Sequence, residues 1–334
     1  MDKTWKPWRL ATAFAAVFVV FTAVSSCSTG KAEEEWARYL DPPAGYRFEP
    51  DVRLVKTWSF DGIDVELLLQ ANGPGTSQRV VKVFPKRMEG TVPAVVVPYY
   101  FPEGMLGFEL ETGELLPRYE GIEMMVHLAR RGFACISADA YHLTYVDSPL
   151  DRGDFGRWQM AGEALKRDWP SWTGMGKLVA DTRLLVDLLE EDPRVDASRI
   201  GVAGHSLGGK MAFCTGCVDP RIKAILASDF GLRWEQSNWE KIWYFGEDLE
   251  EMKAKGMDLT GLLSLSGGKP FFLIAGKDDD ETSWESMKKA SGYRRCPDHL
   301  GFLNHASGHR PPGYALDAGY DFLEKYLKPG KPTR

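Results

Sequence analysis

Apolar residues occur in two kinds of run that alternate along the chain. Short continuous or alternating runs predict strands, and longer runs with apolar positions three or four residues apart predict helices. The predicted helices are Ile122–Arg131, Lys177–Glu190, Leu207–Cys217 and Ala315–Leu327. The predicted strands are Leu54–Phe60, Val65–Gln70, Arg79–Phe84, Pro93–Pro98, Phe133–Ala138, Arg199–Gly204, Lys223–Ser228, Pro270–Ala275 and the weaker His299–Leu303.

This alternation predicts an α/β fold. Strands that alternate with helices form right-handed βαβ units and a mostly parallel sheet with helices on both faces. The first three strands are separated by turns alone, which predicts antiparallel hairpins and a mixed sheet. No internal repeat is visible, and we expect residues 51–330 to form a single domain.

The first residues have the pattern of an export signal. Lys3, Lys6 and Arg9 are basic, and residues 10–30 carry no charge. Small residues precede Cys27, which predicts a signal peptide over residues 1–26 with a lipobox and a lipid on Cys27. An uncleaved membrane anchor and plain secretion remain alternatives. Residues 27–50, with three successive glutamates and Pro42–Pro43, are interpreted as a tether.

The composition and net charge of the chain exclude some classes of protein and of binding partner. The 334 residues are 44% hydrophobic and 26% charged, as in soluble globular proteins, and the net charge is −6. No dense cluster of lysine and arginine is present, so nucleic acid is not an expected partner.

The cysteines do not indicate a metal site. Cys214 and Cys217 form the one C-x-x-C, on a predicted helix, and a zinc site would need further ligands. We therefore expect no metal and no cofactor.

The segment Gly204-His205-Ser206-Leu207-Gly208 matches G-x-S-x-G. A predicted strand precedes it and a predicted helix follows it, which is the context of a nucleophile elbow. Such a turn holds a serine at a helix N-terminus with its hydroxyl exposed. Ser206 is therefore the candidate nucleophile, and the amide of Leu207 is a candidate oxyanion donor. A glycine-rich turn with an incidental serine is the alternative interpretation.

Several segments around this turn resemble one branch of the α/β-hydrolases. They are Trp172–Lys177, the helix that follows, Asp192–Gly201, the elbow itself and Asp219–Ala224. They look like the dienelactone hydrolase and acetyl xylan esterase-like branch, over about residues 90–328. The resemblance implies an eight-stranded sheet with insertions after the fourth and sixth strands, and a Ser–Asp–His triad in that chain order.

The acid and the base must follow the serine. In the family that the chain resembles, the acid lies after the strand predicted at Pro270–Ala275, usually as G-x-x-D, which selects Asp279. Asp278 and Asp280 are one residue away, and Asp229 after the preceding strand is a further candidate. His309 lies between the last strand and the last helix, where the family has its base, and His305 is the alternative.

The substrate pocket should lie at the carboxyl ends of the strands, because ligands bind there in open α/β sheets. The resemblance places the second oxyanion amide at Phe101, although Tyr99 and Tyr100 stand where many relatives have His-Gly. Insertions at 139–175 and 229–265 should surround Ser206. Six of the eleven tryptophans lie between residues 158 and 243, and Trp172 and Trp234 are the candidates for stacking on sugars.

The predicted function is an exported serine hydrolase that cleaves carboxylic esters through an acyl-enzyme. The expected substrate is a small molecule or glycan carrying a small acyl group, and the expected location is the periplasm or cell surface, with membrane attachment through Cys27. A serine peptidase of the same fold and a non-catalytic surface protein are the alternatives. Labelling by a reagent for active-site serines would distinguish a non-catalytic surface protein from an esterase or a peptidase.

Overall fold

The computed structural model describes residues 30–49, 51–60, 62–328 and 330. The predicted signal peptide and Cys27 lie outside these residues. Among the described residues, no helix is long and apolar enough to cross a membrane.

A nine-stranded sheet runs through the described part of the chain. Its strands are β1 (Val52–Phe60), β2 (Ile63–Gly73), β3 (Thr76–Pro85), β4 (Val92–Val96), β5 (Ala134–Ala138), β6 (Val195–His205), β7 (Ile222–Ser228), β8 (Phe271–Ala275) and β9 (Leu300–Asn304). They lie in the order β1-β2-β3-β5-β4-β6-β7-β8-β9. The pairs β1–β2, β2–β3 and β3–β5 are antiparallel, and all the other pairs are parallel. The sheet is thus mostly parallel, as predicted.

The strand count is one more than the eight that the resemblance implied. The additional strand is β1, a mostly exposed edge strand that forms a hairpin with β2. The predicted insertions therefore follow the fifth and seventh strands of this sheet instead of the fourth and sixth.

Helices cover both faces of the sheet. In the described residues the helices are α1 (30–40), α2 (Glu103–Leu106), α3 (Met124–Arg130), α4 (Phe155–Asp168), α5 (Gly174–Glu190), α6 (Leu207–Val218), α7 (Asp248–Ala254), α8 (Leu259–Leu265), α9 (Glu281–Lys289) and α10 (Gly313–Leu327). Val95 and Val97 at the centre of the sheet face a core that includes α3 and α10, whereas Ala94 and Val96 face a core that includes α5 and α6.

The described part of the predicted tether is not a free linker. Residues 30–40 form α1, and Trp36, Tyr39 and Leu40 on one of its faces are buried. The ring of Trp36 lies 6.3 Å from that of Trp234 and 6.4 Å from that of Phe245. The three apolar side chains recur at the helical spacing of three and four residues, and their burial docks α1 onto the second insertion. The folded unit therefore includes residues 30–40.

The two insertions, residues 139–175 and 229–265, pack against each other at the carboxyl ends of the parallel strands. The first carries α4, and the second carries α7, α8 and the short 3-10 helix Trp234–Gln236. A Cβ atom at Gly174 would lie 2.4 Å from the backbone of Trp243, so only glycine permits this close approach. Both insertions follow the carboxyl ends of strands, and together they form walls beside the turn at Ser206.

Candidate active site

Ser206 occupies a strained turn between β6 and α6. Its backbone has φ 58° and ψ −119°, a conformation that residues other than glycine rarely adopt. A Cβ atom at Gly204 would lie 2.1 Å from the carbonyl oxygen of Gly208, and one at Gly208 would lie 2.2 Å from that of Pro98. Both glycines of the motif are therefore required by close packing, and the turn has the geometry of a nucleophile elbow.

The structure brings Ser206 and His309 together across 103 residues of chain. The Nε2 atom of His309 lies 2.8 Å from the Oγ of Ser206. His309 follows β9 and precedes α10, at the position from which its ring reaches the elbow. This distance permits the serine hydroxyl to donate its proton to the imidazole, which is the geometry required of a general base.

Asp229, and not Asp279, is the carboxylate beside this histidine. Its Oδ2 lies 2.6 Å from Nδ1 of His309. Asp229 directly follows β7, has a backbone φ of 44°, and is fully buried. Burial raises its pKa, but the hydrogen bonds from His309 and from the amides of Asp279 and Asp278 outweigh burial and hold the pKa below its ordinary value. The carboxyl is therefore ionised and orients the imidazole.

The prediction that Asp279 contacts the histidine is wrong. The Asp279 carboxylate is 1% exposed and accepts the backbone N–H groups of Phe230, Gly231 and Leu232, each at 2.8 Å. It also accepts the hydroxyl of Ser283 at 2.8 Å. Four donors occupy both of its oxygens and hold them on the loop after β7, away from the ring.

Asp229 and Asp279 form a reciprocal pair of contacts between two loops. While Asp279 accepts the amides of the loop after β7, the Oδ1 of Asp229 accepts four amides of the loop after β8, at 2.8–3.1 Å. Each loop thus supplies a carboxylate that neutralises and fixes the backbone donors of the other. The amides bound by Asp229 belong to Gly276, Lys277, Asp278 and Asp279.

The remaining candidates for acid and base occupy other positions. Asp278 is the second carboxylate near His309, with an oxygen 3.8 Å from Nδ1 of the ring. Asp280 caps α9 by accepting the amide of Thr282. The Nδ1 atom of His305 lies 2.7 Å from the Ser307 hydroxyl, whereas the ring that lies beside the Ser206 hydroxyl is that of His309. Burial lowers the pKa of His205 to about 3, and this ring therefore stays neutral.

The loop that carries the second predicted oxyanion donor lies against the elbow. Gly208 meets the carbonyl of Pro98 and the ring of Tyr99, so residues 98–101 border the turn. The Leu207 amide is the first of α6, and the first amides of a helix have no acceptor within it. The Phe101 side chain is buried beneath the Arg152 guanidinium, 4.2 Å from the ring centroid. Both predicted donors thus belong to segments that meet at Ser206.

A cavity of about 280 Å³ opens onto Ser206. Tyr100, one of the predicted substrate-binding residues, lines it, together with residues from both insertions. The lining side chains are Tyr100, Phe155, Ser206, Lys210, Asp229, Phe230, Ser237, Asn238, Tyr244, Lys277 and Asp278.

Lys210 is a functional candidate that sequence reasoning missed. It is buried, donates to the Phe230 carbonyl at 2.6 Å and the Ser237 hydroxyl at 2.7 Å, and lies 4.1 Å above the Trp239 ring. Burial lowers its pKa to about 7, against the opposing effect of the nearby carboxylates. The position of Lys210 four residues after Ser206 could have indicated it, because residues four apart share a helix face. Lys210 fixes one wall of the cavity.

Tyr99, Trp172 and Trp234 do not line this cavity, contrary to prediction. Trp172 is 1% exposed and packs edge-on against Tyr46, with ring centroids 4.7 Å apart. It borders a different cavity of about 410 Å³ between the insertions. Trp234 donates its Nε1 proton to the Met257 carbonyl and packs in the aromatic cluster beside α1. The clustered tryptophans therefore hold the insertions together, because large aromatic rings contribute much apolar burial.

One group of side chains has the composition of a metal site. Ligand atoms of Asp229, Asp278 and His309 lie within 4.8 Å of one another. However, the Asp229 Oδ1 already accepts four amides, and its Oδ2 lies at hydrogen-bond distance from His309 Nδ1. His309 Nε2 is directed at Ser206. These donors fit a hydrogen-bonded histidine better than a coordinated ion.

Comparison with known proteins agrees with this architecture. Residues 118–240 match the model of the Dienelactone hydrolase family. The "Putative hydrolase YtaP" of Bacillus subtilis (strain 168) is 26% identical over 277 residues, which cover 78% of this chain and 87% of that protein.

Two solved structures share the fold at low sequence identity. A "putative acetyl xylan esterase (BF1801)" from Bacteroides fragilis NCTC 9343 superposes with a TM-score of 0.67 at 14% identity, covering 90% of this chain and 84% of that chain. A glucuronoyl esterase from Solibacter usitatus superposes with a TM-score of 0.65 at 11% identity, covering 89% and 91%.

The sheet order, the helices on both faces and the strained serine turn define an α/β-hydrolase fold. Within this fold, residues 118–240 are similar to the dienelactone hydrolase family. The predicted fold class and the predicted resemblance are both confirmed.

Proposed function

We propose that the protein is a serine esterase that removes small acyl groups from carbohydrates through an acyl-enzyme. The observation that carries this proposal is the continuous line of hydrogen bonds from Ser206 through His309 to Asp229. A serine hydroxyl alone is a weak nucleophile and needs an adjacent base that a third group orients. The three side chains have the distances and order for these roles.

The proposed reaction has two balanced steps. Ser206 Oγ attacks the acyl carbon while His309 Nε2 takes its proton, and the same imidazole then protonates the departing sugar oxygen. Water attacks the acyl carbon while His309 Nε2 takes a proton from it. The imidazolium then returns that proton to Ser206 Oγ as the bond between the acyl carbon and Oγ breaks, which releases the acid and the free serine. Asp229 stabilises the imidazolium in both steps, and the Leu207 and Phe101 amides stabilise the oxyanion.

The carbohydrate ester is supported by the cavity and by the names of the structural neighbours. At about 280 Å³ the cavity is small for a binding site, which favours one sugar ring and a short acyl group. Ser237, Asn238 and Lys277 supply hydroxyl, amide and ammonium groups along its lining. The neighbours described above carry the names "putative acetyl xylan esterase" and "Glucuronoyl Esterase", and both names refer to esters of carbohydrates.

A substrate panel tests the proposal. The purified protein should hydrolyse mono-O-acetyl methyl β-D-xylopyranoside with a kcat/KM above that for the same sugar carrying a decanoyl group, because the cavity is short. Acid release is followed by pH-stat, with Ser206→Ala as the control. Cleavage of a methyl glucuronate ester but not of the acetate would overturn the acyl-on-sugar assignment. Cleavage of peptide amides in preference to esters would favour a peptidase.

Export and lipid attachment complete the proposal and rest on the basic and apolar pattern of residues 1–26 with small residues before Cys27. Full-length protein expressed in a bacterial host should fractionate with membranes and incorporate labelled palmitate. Cys27→Ala should lose the label. A labelled Cys27→Ala protein, or unlabelled native protein, would contradict lipid attachment at this residue.

A further inference from the structure

Phe155 combines exposure with a position beside the reactive serine. Its side chain is 55% exposed, although it lines the same cavity as Ser206. Of the other aromatic residues lining that cavity, Phe230 and Tyr244 are buried. A single exposed apolar side chain is ordinary on a protein surface. Phe155 differs because its ring borders the place where chemistry is proposed to occur.

The ring of Phe155 is also held in place. It stacks on the indole of Trp243 with centroids 5.8 Å apart and an angle of 15° between the planes. Phe155 is the first residue of α4, and Asp154 caps that helix by accepting the Gly156 amide at 2.7 Å. One face of the ring is therefore covered by Trp243, and the exposure of the side chain leaves an apolar surface of fixed orientation for a ligand.

A pyranose ring matches this surface and its surroundings. Sugars present a flat apolar face of C–H groups and an edge of hydroxyls. An aromatic face contacts the former, while Ser237, Asn238 and Lys277 line the cavity with groups that hydrogen-bond the latter. A long acyl chain would instead need apolar walls all round.

We propose that Phe155 is the platform on which the sugar ring of the ester lies, and hence a specificity-determining residue. This inference rests on the proposed esterase function. It assigns to Phe155, with Trp243 as its support, the role that the sequence suggested for Trp172 and Trp234. The platform contacts the alcohol part of the substrate and takes no part in proton transfer.

Kinetics on two esters test the platform. For mono-O-acetyl methyl β-D-xylopyranoside, Phe155→Ala should raise KM about three- to tenfold with little change in kcat, which is the size of a single aromatic contact. Ethyl acetate, which has no ring, should show no change. Phe155→Trp should retain the low KM, whereas Phe155→Leu, which keeps apolar area without a ring, should resemble Phe155→Ala. Met160→Ala, an exposed apolar residue on the same helix, is the matched control.

Binding provides a readout that does not depend on catalysis. In the Ser206→Ala background, methyl β-D-xylopyranoside titrated by ligand-observed NMR should bind three- to tenfold more weakly to Phe155→Ala. Equal affinities, full function of Phe155→Leu, or an equal loss on both esters would overturn the platform. If the sugar binds through Phe155 but neither ester is cleaved, the esterase proposal fails and the platform stands as a sugar-binding site.

Discussion

Replacing Ser206 by alanine should reduce kcat on an acetylated sugar by about 10⁴-fold or more. The hydroxyl lies 2.8 Å from the imidazole of His309, and no acyl-enzyme can form without it. Loss of a nucleophile from a cooperating set removes nearly the whole contribution of that set. The measurement is steady-state hydrolysis of the acetyl xyloside, with product acid titrated directly.

Ser237→Ala is the matched control for this loss. Ser237 lines the same cavity, but its hydroxyl bonds to Lys210 and not to His309. We expect less than a tenfold effect on kcat. Ser206→Ala should keep the thermal unfolding midpoint of the parent, whereas Ser237→Ala should lower it, because it removes an acceptor from the buried Lys210 ammonium. Residual activity above one per cent in Ser206→Ala would contradict the assignment of the nucleophile.

Asp229→Asn should lower kcat by about 10⁴-fold while leaving KM nearly unchanged. An asparagine amide would present a donor to Nδ1 of His309 and favour the wrong tautomer of the ring. The pKa of Asp229 is held below its ordinary value, so the carboxylate stays ionised above that range and loses charge only as the pH falls through the lowered value. The deficit of the variant should therefore be constant between about pH 5 and pH 8. Hydrolysis rates across that range are the measurement.

Asp278→Asn and Asp279→Asn distinguish the three neighbouring carboxylates. Asp278 lies farther from His309, so its loss should cost less than tenfold in kcat. Asp279→Asn removes an acceptor from buried amides and should lower the free energy of unfolding by about 1–3 kcal/mol, with kcat of the folded protein within about tenfold of the parent. Asp280→Asn should change neither, because asparagine also caps helices. A larger loss of kcat in Asp279→Asn than in Asp229→Asn would contradict the assignment.

The sequence predicted those parts of the site that local patterns determine. A strand, a tight turn with two glycines and a helix meet at Ser206, and each has a local signature. The choice of His309 followed from the resemblance, because the family that the chain resembles has its base between the last strand and the last helix. Two corrections, the role of Asp279 and the tether, concern contacts between segments distant in sequence.

The choice between Asp229 and Asp279 illustrates why contacts between distant segments could not be predicted. Both Asp229 and Asp279 follow strands that end at the same edge of the sheet, so periodicity cannot choose between them. The choice depends on which loop curls toward His309, and the amides that each carboxylate accepts determine this. Asp229 directly follows β7, which is adjacent to the elbow strand β6, whereas β8, which precedes Asp279, is one strand farther away. Strand order, which a single sequence does not specify, contained the missing information.

The aromatic residues illustrate a second limit. Tryptophans cluster in the insertions, and a cluster can either line a cavity or pack one insertion on another. Trp172 is buried in the core, and the partly buried Trp234 packs against Trp36, so packing dominates. Phe155 carried no distinguishing signal in the sequence, because its exposure depends on where α4 begins relative to Trp243.

Labelling by a fluorophosphonate, followed by mass spectrometry of the tryptic peptides, tests the central proposal most directly. We expect one phosphonyl adduct, on Ser206, that forms rapidly in the native protein and far more slowly in the His309→Ala and Asp229→Asn variants. An adduct on another residue, or labelling of Ser206 at the same rate without the imidazole of His309, would contradict it.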